Sequence, residues 1–194
     1  MAMDDLLEKL QMQGTENDAL QQDKSKKWLN ITPGTGEFLA LLVDEIQPTR
    51  ILEIGTSMGY STLWLARAGG NSVQVVTIER DEAKHQQAQQ HFRQAGMDNR
   101  IDAKLGDASD WMTRLEGQFE LIFLDADRSQ YLSLAPRLFQ LLKPQGMLVV
   151  DNALSHADDV APFKRWLEQQ PELDVGVLPI GKGELVVYLH DDFR

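Results

Sequence analysis

The sequence predicts an α/β protein: a doubly wound sheet of about seven strands, mostly parallel, closed by a C-terminal antiparallel hairpin strand. Three observations predict it. Five short apolar runs alternate with segments of helical periodicity between residues 51 and 169. Strands interleaved with helices in this way lie parallel, because each crossover returns the chain to the same end of the sheet. The last two apolar runs, 175–180 and 184–189, instead flank Gly181-Lys182-Gly183 and read as a hairpin. Finally, 194 residues with 42% hydrophobic and 25% charged content suit one soluble globular domain.

Taken in order, residues 4–30 are polar and Gln-rich, with sparse apolar positions that suit one or two helices across the main body. Residues 36–46 place Phe38, Leu39, Leu41, Leu42 and Ile46 on one helical face. The first strand, 51–54, ends at Gly55 and leads into a helix through Leu63, Trp64 and Leu65. Strands follow at 75–79, 101–105, 121–125 and 147–151. Between them, 82–95 is helical, with Ala83, Ala88 and Phe92 on one face and Gly96 as the C-terminal cap. Shorter helices are expected at 109–115, at 129–142 with Pro144 as its stop, and at 158–169. The expected organisation is a single domain over 1–194: a helical extension or lid over 1–35 and the core over 36–194.

Several function classes drop out. With no cysteine there is no disulfide, thiolate metal site or cysteine nucleophile. No apolar run is long enough for a membrane helix, and the acidic start at Asp4-Asp5 is unlike a signal peptide, so a cytoplasmic location is expected. A net charge of −11 disfavours nucleic acid and membrane as partners. Lys24, Lys26 and Lys27, the one basic cluster, read as a solvated helix end, and His85, His91 and His190 as surface residues.

In open α/β sheets ligands bind beyond the carboxyl ends of the strands, so the residues there carry the chemistry. Glu53-Ile54-Gly55-Thr56-Ser57-Met58-Gly59-Tyr60-Ser61 is a strand, a glycine turn and a helix start, which is either a tight turn or a place where free amides hold an anion. Ser57 stands where a dinucleotide fingerprint needs glycine, which counts against NAD. Glu79 ends the second strand and can accept both hydroxyls of a ribose or complement a helix dipole. Gly106-Asp107-Ala108 follows the third strand. Asp125 and Asp151-Asn152 end the fourth and fifth. Either aspartate alone suits a turn or cap; together with Asn152 they form an all-oxygen set for a hard cation such as Mg²⁺, Ca²⁺ or Mn²⁺.

Three segments then resemble a known family: Ile51-Leu52-Glu53-Ile54-Gly55-Thr56-Ser57-Met58-Gly59-Tyr60-Ser61-Thr62, Leu121-Ile122-Phe123-Leu124-Asp125-Ala126-Asp127 and Val150-Asp151-Asn152. They are similar to the cation-dependent O-methyltransferases, which include catechol O-methyltransferase, plant caffeoyl-CoA O-methyltransferases and many bacterial homologues. Gly34-Thr35-Gly36-Glu37-Phe38-Leu39 and Leu178-Pro179-Ile180-Gly181 extend the resemblance over residues 30–190. It implies a Rossmann-like class I methyltransferase fold, S-adenosylmethionine as cofactor, a divalent cation (Mg²⁺ first, Ca²⁺ or Mn²⁺ as alternatives) and a homodimer. It implies Glu53 and Gly55 beside the methionine part of the cofactor, Ser61 on its carboxylate, Glu79 on the ribose, and Asp107 and Ala108 beside the adenine. Asp125, Asp151 and Asn152 become the metal ligands. Asp125, also near the cofactor, and Arg128 are the catalytic candidates.

Two departures matter. Arg128 stands where the family commonly has a lysine regarded as proton acceptor or positioning charge. Arginine stays protonated at neutral pH, so it can orient a substrate and stabilise its anion but not act as an ordinary base. His156 is an alternative base, or else a solvent-exposed loop residue. The segment after Asn152 is also shorter than in most relatives, and that region shapes the acceptor pocket. The expected activity is methyl transfer to a hydroxyl of a small catechol-like molecule. The alternatives are a tRNA hydroxyuridine methyltransferase and, because of Arg128, a cofactor-binding module without catalysis.

Overall fold

A computed structural model describes residues 3–190. Its strands are β1 (Arg50–Ile54), β2 (Gln74–Glu79), β3 (Ile101–Leu105), β4 (Phe119–Leu124), β5 (Leu142–Val150), β6 (Leu173–Leu178) and β7 (Glu184–Leu189). They form one seven-stranded sheet in the order β3-β2-β1-β4-β5-β7-β6. The first five pair in parallel, and β7 runs antiparallel to both β5 and β6. This is the doubly wound, Rossmann-like sheet with a terminal hairpin that the alternation predicts.

Helices cover both faces, which is why the central strands read as unbroken apolar runs. Alternate residues serve opposite cores. Leu52, Ile54, Ile122 and Leu124 pack with α5 (Ala108–Arg114), α6 (Tyr131–Leu141) and α7 (Ala157–Leu167). Ile51, Leu121, Phe123 and Val149 pack with α1 (Met3–Leu20), α2 (Pro33–Ile46), α3 (Tyr60–Ala68) and α4 (Glu82–Gln94). Each fully buried side chain of this size contributes about 1.5–3 kcal/mol. Leu6, Leu7 and Leu10 of α1 join the second core, so the first helix is knit into the body. A strap over residues 21–32 then leads to α2, whose start is fixed by Thr32: its Oγ1 accepts the Thr35 N–H at 3.1 Å, with Pro33 in the first turn.

The structure corrects several local expectations. The helix expected over 129–142 is a 3₁₀ turn at Arg128–Gln130 followed by α6, and β5 begins at Leu142. Pro144 therefore lies inside a strand rather than ending a helix. The strand tolerates it because the β4–β5 register shifts between Phe119↔Leu142 and Leu121↔Met147, leaving 143–146 out of the ladder. On α2, Leu41 is exposed and Val43 is buried in its place. On α4, Ala83 is exposed, while His85 and His91 are buried. The two histidines supply half of a buried face that has few apolar residues. The His91 ring lies 6.4 Å from that of Trp28, and its Nδ1 shares a hydrogen bond with the Met58 carbonyl at 2.8 Å.

Burial, as the largest cause, holds the His91 pKa below its ordinary value. The unfolded chain therefore binds a proton that the folded chain resists, and His91 destabilises the fold as pH falls below the unfolded histidine value of about 6.5. Urea unfolding at pH 7.5 and 5.5 should show a smaller acid loss in His91→Gln than in the parent. An equal loss would remove His91 from the acid response.

Candidate functional site

The strand order reverses between β1 and β4, so successive crossovers diverge and leave a crevice at the carboxyl ends. A cleft of about 740 Å³ occupies it. Gly55 makes the crevice. Its φ is +108°, and a Cβ there would lie 2.0 Å from the Asp125 carbonyl oxygen. Its N–H donates to the Ile78 carbonyl at 3.0 Å, while the Asp125 N–H donates to the Ile54 carbonyl at 3.0 Å. The end of β1 is thus gripped between β2 and β4, and only glycine fits the space.

The turn beyond Gly55 organises one end of the cleft. Ser57, at φ +44°, donates its N–H to Glu79 Oε2 at 2.7 Å, and the Asp81 N–H donates to Glu79 Oε1 at 2.9 Å. Both carboxylate oxygens are fixed, yet each keeps a lone pair for the vicinal hydroxyls of a ribose. The strap closes over this turn. Ser57 Oγ donates to the Trp28 carbonyl at 2.5 Å, and Lys84 Nζ to the Lys27 carbonyl at 2.7 Å. Asp107 caps α5, its Oδ1 accepting from Ser109 N–H at 2.8 Å and Oγ at 2.7 Å, and its Oδ2 accepts from Gln130 Nε2 at 3.3 Å. These bonds hold its carboxyl below the usual range. Asp107 and Ala108 line the same cleft.

Glu53 and Ser61, which the resemblance puts beside the cofactor, do not line the cleft. The alternation of β1 turns Glu53 towards α3, where it is fully buried and does not line the cleft. Its Oε1 accepts from Ser61 Oγ at 2.6 Å, and its Oε2 accepts from Thr77 Oγ1 at 2.6 Å and from Thr62 Oγ1. Burial pushes this carboxyl up to about 7 despite the three hydroxyl donors. The pair braces the loop from behind, and the Ser61 hydroxyl is spent on Glu53.

At the other end of the cleft acids converge. Asp125 Oδ1 accepts from Asn152 Nδ2 at 3.0 Å, and Asn152 sits at φ +68°, a costly conformation that turns its amide to this point. Asp151, almost fully buried behind it, accepts the Asn152 N–H at 2.6 Å. A third acid, Glu184, was not foreseen. It is fully buried, hydrogen-bonds Asp151 and accepts from Thr35 Oγ1 at 2.8 Å. Burial and then Asp151 push its carboxyl up to about 9, so it is protonated at neutral pH. Burial, with Asp151 next, pushes Asp125 up to about 8, and burial raises Asp151. The hairpin register contained the signal: Val150 pairs with Leu185, which places Glu184 against Asp151.

The same hairpin brings in Lys182, read from the sequence only as part of a turn. The Leu154 and Ser155 N–H groups donate to the Lys182 carbonyl at 3.1 and 3.0 Å, and the Ala153 N–H donates to that of Gly183 at 2.8 Å. The β6–β7 turn is so stapled to the segment after Asn152. Lys24, Arg128, His156 and Lys182 all line the cleft. Lys24 is exposed at the end of a short 3₁₀ turn, as a solvated helix end should be, and borders the cleft from there; His156 is half-buried rather than a free loop residue.

Comparison with known proteins gives the family. The chain belongs to the O-methyltransferase family, whose model matches residues 5–188. It is similar to catechol O-methyltransferases of Niastella koreensis (34% identical over 130 residues) and Mycobacterium tuberculosis (38% over 120). These alignments cover 65% and 61% of this chain and 59% and 54% of the relatives' lengths. Its fold matches TomG of Streptomyces achromogenes, involved in tomaymycin synthesis and solved in complex with S-adenosylmethionine. The TM-score is 0.82 at 25% identity, covering 95% of this chain and 89% of that one.

Glu79→Ala should weaken S-adenosylhomocysteine binding by about 1–3 kcal/mol, the cost of removing a charge-assisted acceptor, as titration calorimetry would read it. Unchanged affinity would leave Glu79 a brace for the Ser57 turn.

Proposed function

We propose that the protein transfers the methyl group of S-adenosylmethionine to a hydroxyl of a small catechol-like vicinal diol, assisted by a divalent cation. One observation carries the reading: a single cleft joins the Glu79 carboxylate at one end to Asp125 and Asn152 at the other, so a nucleoside and an acceptor share one cavity. Family membership supports O-methylation as the chemistry, and a homodimer as the working form. A net charge of −11 favours a small acceptor over tRNA.

The acid end fits a hard cation. Asp151 raises the cost of ionising Asp125, and a cation relieves that repulsion. Among the described residues no three His, Cys, Asp or Glu side chains are spaced as a metal set; the ligands proposed are two carboxylates and an amide, Asp125, Asp151 and Asn152, which suit Mg²⁺. When bound, the cation supplies Lewis-acid stabilisation of an ionised acceptor hydroxyl.

The chain's own residues do the rest. Gly55 admits the cofactor's methionine part, Glu79 fixes the ribose, and Asp107 with Ala108 borders the adenine. The acceptor oxygen attacks the methyl carbon in line with the carbon–sulfur bond, whose electrons pass to sulfur, giving the methyl ether and S-adenosylhomocysteine. Holding the two reactants in one orientation is the main contribution. The hydroxyl proton passes to solvent or to His156, whose pKa is held low first by burial and then by Arg128 and which is therefore neutral at pH 7. Arg128 keeps its charge and stabilises the developing alkoxide or phenoxide.

Transfer of labelled methyl to catechols should occur with Mg²⁺, stop with EDTA and be lost in Asp151→Ala. Transfer that survives both would remove the cation from the mechanism, and no transfer to any diol would overturn the reading itself.

A further inference from the structure

The charged groups of the cleft are segregated. At the nucleoside end each has a partner: Arg80 pairs with Asp127 at 3.5 Å, Lys84 with the Lys27 carbonyl, Asp81 with the Lys84 N–H, Asp107 with Ser109 and Gln130, and Glu79 with two backbone N–H groups. The acceptor end is different. Arg128, with only 17% of its side chain exposed, makes one long contact, Nε to Asp159 Oδ2 at 3.4 Å. Both terminal nitrogens of its guanidinium lack a partner among the described residues. The side chains of Lys24 and Lys182 have neither hydrogen bond nor ion pair among those residues.

These three cations reach one place from three separate elements. Arg128 comes from the turn after β4, Lys182 from the β6–β7 turn stapled to residues 153–155, and Lys24 from the strap. All three line the cleft together with His156 and Asp159. Arg128 and Lys182 also act on Asp125 and Asp151. A mostly buried guanidinium with a vacant fork is costly unless an anion completes it, and the planar fork matches a carboxylate or phosphate in two parallel bonds. The chain as a whole carries the opposite charge, a net −11, so this concentration of cations at one cleft mouth is a local feature of the site.

We propose that the acceptor is itself an anion, a vicinal diol bearing a carboxylate or phosphate that seats on the Arg128 fork with Lys182 and Lys24 beside it. This rests on the methyltransferase reading of the cleft and adds the acceptor's class to it. It also gives the arginine at position 128 a purpose that lysine would serve less well, since a compact ammonium offers no bidentate fork.

The test compares matched acceptors: 3,4-dihydroxybenzoate, its neutral amide, and a catechol phosphate of similar size, each with the Mg²⁺-loaded enzyme. In parallel, calorimetry measures benzoate, benzamide and phenyl phosphate, which cannot be methylated at a diol, binding to the complex with S-adenosylhomocysteine. The expected result is that kcat/KM and binding favour the acids over the amides by at least tenfold, through KM, and that the preference shrinks with added salt. The better of the benzoate and phosphate arms identifies the anion. Lys182→Gln and Arg128→Lys should each narrow the acid-to-amide ratio several-fold. Equal use and equal binding of acid and amide would overturn the proposal while leaving methyl transfer intact. If no diol is methylated, the methyltransferase reading fails, and the calorimetric arm still decides whether the cations bind an anion.

Discussion

The site depends on one close approach. Gly55 lets the end of β1 pass so near the Asp125 carbonyl that a Cβ would lie 2.0 Å from it. Two consequences follow from this contact. The loop beyond Gly55 is free to turn and place the Ser57 N–H on Glu79, which fixes the nucleoside end. At the same time β4 is locked to β1 in a register that puts Asp125 at the sheet edge, beside Asp151 and Asn152 at the end of β5. The two halves of the cleft are therefore held by the same pair of strands, and its two ends are joined across the sheet rather than across a hinge.

Electrostatics gives the two ends different characters. The nucleoside end is a set of satisfied hydrogen bonds, each acid capped by backbone N–H groups or a neighbouring hydroxyl. The other end is a stack of acids that resist ionisation, Asp125, Asp151 and Glu184, faced by Lys24 and Lys182 without partners among the described residues and by Arg128, which holds only Asp159. Such an arrangement costs folding energy and is retained where a ligand completes it. A divalent cation beneath and an anionic acceptor above would satisfy both layers at once.

Much of this was legible in the sequence, because strand-end positions follow from counting apolar runs. The five parallel strands, the hairpin and the placement of Glu79, Asp107, Asp125 and Asn152 on one cleft all follow from that alternation. What was not legible depends on side-chain direction and on long-range register. Glu53 looks like a cleft residue in the motif, but the period of two in β1 turns it into the core with Ser61. Glu184 and Lys182 sit in a hairpin whose strands carry no motif, and only the antiparallel pairing of β7 with β5 brings them to the acids. His85 and His91 are buried rather than at the surface because α4 has so few apolar residues that imidazoles fill its inner face.

The most direct test of the central claim is a crystal structure of the protein with S-adenosylhomocysteine and Mn²⁺, read by the anomalous signal of the metal. The account predicts the ribose hydroxyls on Glu79 and one anomalous peak bounded by Asp125, Asp151 and Asn152. Cofactor density in the cleft with no peak among those three residues would contradict the shared-cleft mechanism, and cofactor density outside the Gly55 crevice would contradict the site altogether.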